Sequence, residues 1–378
     1  MAEKKQVKIQ SKTGKPENIL KKEQDIYDQC KAIEQELPAF MNGFFAYLRG
    51  SVLPMTRLAY LNDIKFFCHY LIESAMFKAD EVSELTPADF ETIRAKDINT
   101  FLDFARRYQR ERENSIYIYE NDNRSLARKK SSLSVLFKYL FRDEVLSKNI
   151  TDGLDPIRVP KPGEREIKAL TDDEVRLMLK TVSDGDGMTK KQLEFWQKTK
   201  KRDKAVLVLF ITYGLRLSEL QQLNVDSFNF DRGEFKIYRK RGKESIMPIN
   251  RSCELVIKEY LEQERASDDT LDEENKGALF LSLQGRRMTE RQIRELVKKY
   301  TAYALKTSQK SGYSPHKLRA TAATSLIGRG EDIYDVQILL DHENVTTTQL
   351  YAKHKENVKR DLVNNMEWEL ERTNQSKK

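Results

Sequence analysis

The chain has 378 residues, 39% of them hydrophobic and 33% charged, with 67 Lys and Arg against 59 Asp and Glu for a formal net charge of +8. That length predicts two packed units rather than one domain, and the apolar share is enough for real cores under a densely ionic surface. No run of about 18 apolar residues occurs, and the N-terminus lacks an apolar leader, which speaks against a membrane partner and a secreted product and sets a cytoplasmic expectation.

The cysteines, Cys30, Cys68 and Cys253, show no spacing that suits zinc or a disulfide framework, so they read as reduced thiols and no metal is expected. A net charge of +8 is compatible with a polyanionic partner but is common among proteins without one.

In chain order, residues 1–20 carry Lys4, Lys5, Lys8, Lys12 and Lys15 with few large apolar residues and read as a disordered basic tail. From Ile26 helical periodicity dominates. Leu61, Ile64, Phe67, Cys68 and Leu71 recur at three- and four-residue steps on one amphipathic helix. Leu85-Thr86-Pro87-Ala88-Asp89-Phe90 writes another helix start: Thr86 caps, Pro87 fits the first turn and Leu85 staples Phe90. Two further helices are expected, over Ile98 to Arg112 with Arg106, Arg107, Arg110 and Arg112 on a basic face, and over Leu126 to Phe141 with Arg124, Arg128, Lys129, Lys130 and Lys138. Such runs are usually solvated faces, and contact with DNA is the alternative.

Residues 21–154 thus form one helical domain. Three prolines between Asp155 and Gly163 forbid regular helix and mark 155–168 as a linker. Leu170-Thr171-Asp172-Asp173-Glu174-Val175 then opens a second domain, 169–378, with a capping box and staple. Asp203 to Tyr213 is almost continuously apolar, predicting a helix buried on most sides and ended by Gly214. Phe228 to Phe230, Glu234 to Tyr238 and Ser245 to Ile249 read as a small antiparallel meander with Lys240 at a hairpin tip, and Thr289 with Gln292 caps a later helix.

Three of the four histidines, His316, His342 and His354, share one stretch with Tyr351. His316 and Arg319, three apart on a predicted helix, project from one face toward a common anion. Arg216, in Gly214-Leu215-Arg216-Leu217-Ser218-Glu219-Leu220, stands at a helix start, where free amides and a bidentate guanidinium suit a phosphate. Taken singly, Arg216 reads more simply as a partner of Glu219, and a lone His-x-x-Arg pair as structural.

Taken together, Arg216, Lys240, His316-x-x-Arg319, His342 after Leu340 and Tyr351 nine residues later resemble, in order and spacing, the tyrosine recombinases, over essentially the whole second domain. Thr56-x-x-x-Tyr60 and Leu126 to Leu140 resemble that family's helical core-binding domain. Gly185 to Lys191 with Lys198 to Asp203 resembles the Xer branch in which one protein works alone, as in streptococci. Asp341 stands where the family usually has Gly, and Arg241 replaces the common Gly after the hairpin lysine.

The resemblance implies a mainly α fold with a small antiparallel β-sheet, a SAM-like N-terminal core-binding domain and a C-terminal catalytic domain. It implies that the Tyr351 hydroxyl attacks a DNA phosphate to leave a 3′-phosphotyrosine, without ATP, metal or other cofactor. Arg216 and Arg319 would clamp the phosphate, His342 would add a hydrogen bond, His316 would take the phenol proton and Lys240 would protonate the leaving oxygen. Arg106, Arg107, Arg124, Arg128, Lys129 and Lys130 become DNA-contact candidates. A stripe of Val358, Leu362, Met366 and Leu370 would dock on a neighbouring subunit, building a homotetramer on double-stranded DNA with paired inverted half-sites. A DNA translocase or accessory recombination factor is a further candidate partner. The expected task is Xer-like chromosome dimer resolution; a mobile-element integrase, a type IB topoisomerase and a catalytically idle DNA-binding regulator are the alternatives.

Overall fold

The computed structural model describes residues 14–160, 167–239 and 242–341. The chain divides into two compact units, Met1–Pro160 and Lys161–Lys378.

The first unit contains α1 (Glu17–Glu36), α2 (Asn42–Ser51), α3 (Pro54–Glu73), α4 (Pro87–Thr92), α5 (Ala95–Arg106), a hairpin of β1 (Arg107–Arg112) and β2 (Ser115–Glu120), and α6 (Asn123–Arg142). The expected stripe on α3, from Leu61 to Leu71, is buried against Phe101 of α5 and Phe137 of α6. Phe67 meets Phe101 edge-to-face at 5.1 Å, the geometry that aromatic quadrupoles favour. Thr86 caps α4 as expected: its hydroxyl accepts from the Asp89 amide, and the Asp89 carboxylate accepts from the Thr86 amide at 2.8 Å.

Two expectations are corrected here. Helix α1 begins inside the segment read as a disordered tail, because Ile19 finds a buried seat and Lys15 pairs with Glu23 at 2.7 Å; residues 1–13 lie outside the described residues. The helix expected from Ile98 to Arg112 stops at Arg106, and Arg107–Arg112 instead pairs antiparallel with Ser115–Glu120. Ile116 to Tyr119 is β-branched and aromatic, Tyr108 stacks on Tyr119 at 5.1 Å, and Glu113 and Asn114 both take positive φ, as a two-residue hairpin turn requires. The arginines therefore lie on a twisted ribbon, and the chain has a second sheet.

The start of the expected linker is tied to the first unit. Lys130 donates to the carbonyl of Asp155 at 2.6 Å, Asn123 donates to that of Arg158 at 2.8 Å, and Ile157 packs on the core.

The second unit contains α7 (Asp172–Asp184), α8 (Lys190–Gln197), α9 (Lys200–Tyr213), α10 (Leu217–Gln221), β3 (Phe228–Asn229), β4 (Glu234–Tyr238), β5 (Glu244–Pro248), α11 (Arg251–Gln263), α12 (Glu290–Ala304), α13 (Pro315–Gly328) and α14 (Ile333–Leu340). Every residue of α9 from Ala205 to Phe210 is buried, since α7, α11, α12 and α13 surround it. The capping boxes at Thr171 with Glu174 and Thr289 with Gln292 form as expected. The meander β3-β4-β5 turns Phe235, Ile237 and Met247 into the core while Glu234, Lys236 and Ile246 are less buried, the alternation a one-sided sheet needs.

Cys30, Cys68 and Cys253 are free and buried, and burial pushes the Cys68 thiol up to about 12, so it is inert.

Candidate anion site in the second unit

The site grows from the end of α9. Gly214 takes φ +57, the left-handed conformation that ends a helix cheaply only in glycine, and a Cβ there would stand 2.4 Å from Leu340 Cδ2. The reversal places Arg216 at the N-cap of α10. Its amide and Nη1 both donate to the buried Glu219 carboxylate, at 2.8 and 2.7 Å, so the carboxylate fixes the guanidinium. The simpler reading of Arg216 is seen directly: it pairs with Glu219, and that pairing fixes where the guanidinium points.

From the other side comes Arg319 on α13, 4% exposed. Its Nη1 donates to the Gly214 carbonyl at 2.7 Å and its Nη2 to the Leu340 carbonyl. Arg216 Nη2 donates to the Asp341 carbonyl at 2.9 Å. The end of α14 is thus seated on the two expected arginines, whose charge satisfies the open carbonyls and the negative end of the helix dipole.

A third arginine joins them that the sequence reading missed. Arg239, the last residue before the β4–β5 turn, is 6% exposed and donates to the carbonyls of Leu340 at 3.0 Å and Leu339 at 2.9 Å. Burial lowers its pKa from the ordinary arginine value, opposed by Glu219 and Asp341. In the sequence Arg239 is one more cation in a basic run; its partners lie about 100 positions further on, so no local pattern marks it. Its amide donates to the Lys243 carbonyl at 2.7 Å.

His316 lies one turn before Arg319, near the start of α13, and is open to solvent. Partial desolvation of the ring, then the charges of Arg319 and Lys317, hold its imidazole below the usual 6.5. Lys240, His342 and Tyr351 lie outside the described residues. Among the described residues no cluster of His, Cys, Asp or Glu suits a metal ion, and no helix is long and apolar enough to cross a membrane.

The candidates in the first unit separate. Arg106 and Arg107, where α5 passes into the ribbon, and Arg124 on α6 are exposed, and Arg128 is exposed but donates to the buried Asp63 carboxylate and to the Ala59 carbonyl. Lys129 is buried: its Nζ donates to Asp63 at 2.8 Å and lies over the Phe66 ring, so it serves the core rather than the surface. Lys130 holds the chain at Leu154 and Asp155.

The second of two mainly helical units brings three arginines together at the end of α14, a concentration of cations that suits a phosphate or similar anion. The family model described as "Phage integrase family" matches residues 168–357. A tyrosine recombinase XerC of Caldanaerobacter subterraneus subsp. tengcongensis is 32% identical over 334 residues, 87% of this chain and 85% of that protein. A tyrosine recombinase XerD of Listeria monocytogenes is 30% identical over 294 residues, 78% of this chain and 86% of that one. Of solved structures, XerH site-specific recombinase bound to difH substrate in a pre-cleavage complex superposes with a TM-score of 0.55 at 16% identity, covering 95% of this chain and 92% of that one. A lambda integrase(75-356) dimer bound to a COC' core site gives 0.56 at 12% identity, covering 89% and 99%; at such identities these two show the fold alone. The chain belongs to the phage integrase family. It is a tyrosine recombinase, a DNA strand transferase of a class that works without ATP or a metal cofactor.

Proposed function

We propose that the protein recombines double-stranded DNA at paired inverted half-sites, as a homotetramer, by attack of the Tyr351 hydroxyl on a backbone phosphate seated on Arg216 and Arg319. The observation that carries this reading is the convergence of both arginines on the end of α14, from which the chain runs directly into His342 and, nine residues later, Tyr351.

In that reaction the bond from the Tyr351 oxygen to phosphorus forms as the bond to the 5′-oxygen breaks, leaving a 3′-phosphotyrosine and a 5′-hydroxyl. His316, neutral because its pKa is lowered, takes the phenol proton, and Lys240 supplies the proton that the 5′-oxygen needs. Arg216, Arg319 and His342 balance the charge that grows on the non-bridging oxygens. Rejoining is the same exchange run backward with a new 5′-hydroxyl, so the energy of the phosphodiester is conserved.

Arg106, Arg107, Arg124 and Arg128 neutralise flanking phosphates, which makes affinity fall steeply with salt. The names of the relatives, XerC and XerD, support a Xer-like task, resolution of chromosome dimers, and the sequence from Gly185 to Asp203 supports one protein acting alone.

The test is a nicked suicide half-site incubated with purified protein. Wild type is expected to form a covalent adduct mapping to Tyr351, and Tyr351→Phe to bind without forming one. An adduct mapping elsewhere, or none from wild type, overturns the reading. Recombination of a two-site plasmid by the purified protein then decides whether a second recombinase or accessory factor is required.

A further inference from the structure

Asp341 follows the last residue of α14 with φ +50 and ψ +54, the left-handed region that L residues other than Asn and Asp seldom enter. There its carboxylate lies 3.7 Å from Arg216 Nη1, 3.9 Å from Arg239 Nη1 and 3.8 Å from Lys243 Nζ. All three contacts are ionic, and all three exceed hydrogen-bond reach.

The contrast with Glu219 is informative. Glu219 is buried and hydrogen-bonded twice to Arg216, so it belongs to the scaffold of the site. Asp341 keeps 31% of its side chain in solvent, and while its carbonyl accepts from Arg216, its carboxylate balances three cations without a hydrogen bond to any of them. Such a carboxylate satisfies the charge of the cluster and can still rotate away. Arg239 adds a second sign that the cluster is incomplete: its buried Nε has no hydrogen-bond partner among the described residues, a cost that an incoming acceptor would relieve.

We infer that Asp341 is a positioning residue that holds the place of the DNA phosphate, neutralising Arg216, Arg239 and Lys243 until a phosphodiester displaces its carboxylate. This rests on the reading that the cluster binds the phosphate to be cleaved. A phosphodiester entering the cluster brings a second anion to cations that Asp341 already balances, and the two repel. Of the two, Asp341 has the open path to solvent. The consequence is selectivity: stray phosphates meet a cluster already compensated, and a site held in register by the rest of the protein supplies enough binding to expel the carboxylate.

Full-length protein would be measured against a duplex that it enriches from a random-sequence pool, carrying at the cleaved step either the native phosphate or a neutral methylphosphonate. Asp341→Asn removes the charge and keeps a residue tolerant of positive φ; Asp341→Gly is the second variant, compatible with the backbone by a different route. Both are expected to raise the preference for native over neutral duplex about tenfold, the scale of removing one like charge near 4 Å at a partly screened site. Affinity for the neutral duplex should stay within about twofold, whereas a purely structural role would move both duplexes together. An unchanged preference in both variants, or equal gains on the two duplexes, overturns the inference and leaves the cleavage mechanism standing. If wild type and the variants alike fail to prefer the native phosphate, the phosphate does not bind at this cluster, and the functional reading falls with the inference.

Discussion

Arg319 donates through Nη1 to the carbonyl oxygen of Gly214 at 2.7 Å, across 105 positions of sequence. That bond joins the helix that carries Arg319 to the turn that aims Arg216, so the two guanidinium groups are set by one another's supports. Because the second Arg319 donor reaches Leu340, the same side chain also fixes where α14 ends and where the segment leading to Tyr351 begins.

Gly214→Ala tests the turn. Alanine at φ +57 carries a backbone cost of about 1 kcal/mol or more, and its Cβ would press on Leu340 at 2.4 Å, an overpacking cost of about 1–3 kcal/mol. The expected outcome is a lower urea midpoint with unchanged slope, together with slower adduct formation. A variant as stable as wild type would show that α14 yields at this point.

Arg319→Lys keeps the charge and loses the planar fork that reaches Gly214 and Leu340 together. Single-turnover cleavage should slow by about 100- to 1000-fold, the usual effect of removing one preorganised donor to a transition state. Affinity for an uncleaved duplex should change far less, and a matched fall in both would mean that the arginine only binds.

His316 gives a pH dependence with a definite sign. Its pKa is lowered from 6.5 in the folded protein, so the neutral imidazole, the form that accepts a proton, prevails at neutral pH. Cleavage should rise with pH, with a midpoint below 6.5, and level off before neutrality, and His316→Gln should flatten that limb. The linked effect on stability has the same direction: the unfolded chain binds the proton more readily, so stability is lost as pH falls from 6.5 toward the folded value and is unaffected above 6.5. A midpoint above 6.5 would remove His316 as the acceptor.

Lys129 separates a core role from a DNA role. Asp63→Ala strands the buried Lys129 ammonium and leaves Arg128, which shares the carboxylate, without its partner, and should cost about 3–5 kcal/mol, whereas Asp63→Leu combined with Lys129→Met leaves only Arg128, which reaches solvent, and should cost much less. Chemical denaturation reads both. Lys129→Met should leave the salt dependence of DNA binding nearly unchanged, unlike Arg124→Ala or Arg107→Ala; a loss of about one counterion from the salt slope would restore Lys129 to the surface.

Much of this molecule was legible because the signals are local. Thr86, Thr171 and Thr289 cap the helices they were expected to cap, since a cap depends on the amides of one turn. Gly214 ends α9 because a helix needs a left-handed residue there, and the order of Arg216, Lys240, His316, Arg319, His342 and Tyr351 carried the family. The helix that failed, Ile98 to Arg112, failed in its charged second half, where the side chains favour neither period and the partner strand, Ser115–Glu120, decided the outcome.

The sequence alone determined most of the elements and which residue types could hold a phosphate, because propensity, capping and apolar periodicity act over a few residues at a time. Tertiary structure decided what each charge does. It buried Lys129 on Asp63, brought Arg239 to the end of α14 and placed Asp341 among three cations. A charge is answered by whichever partner the fold brings near, and those partners lie 66, 101 and up to 125 positions away.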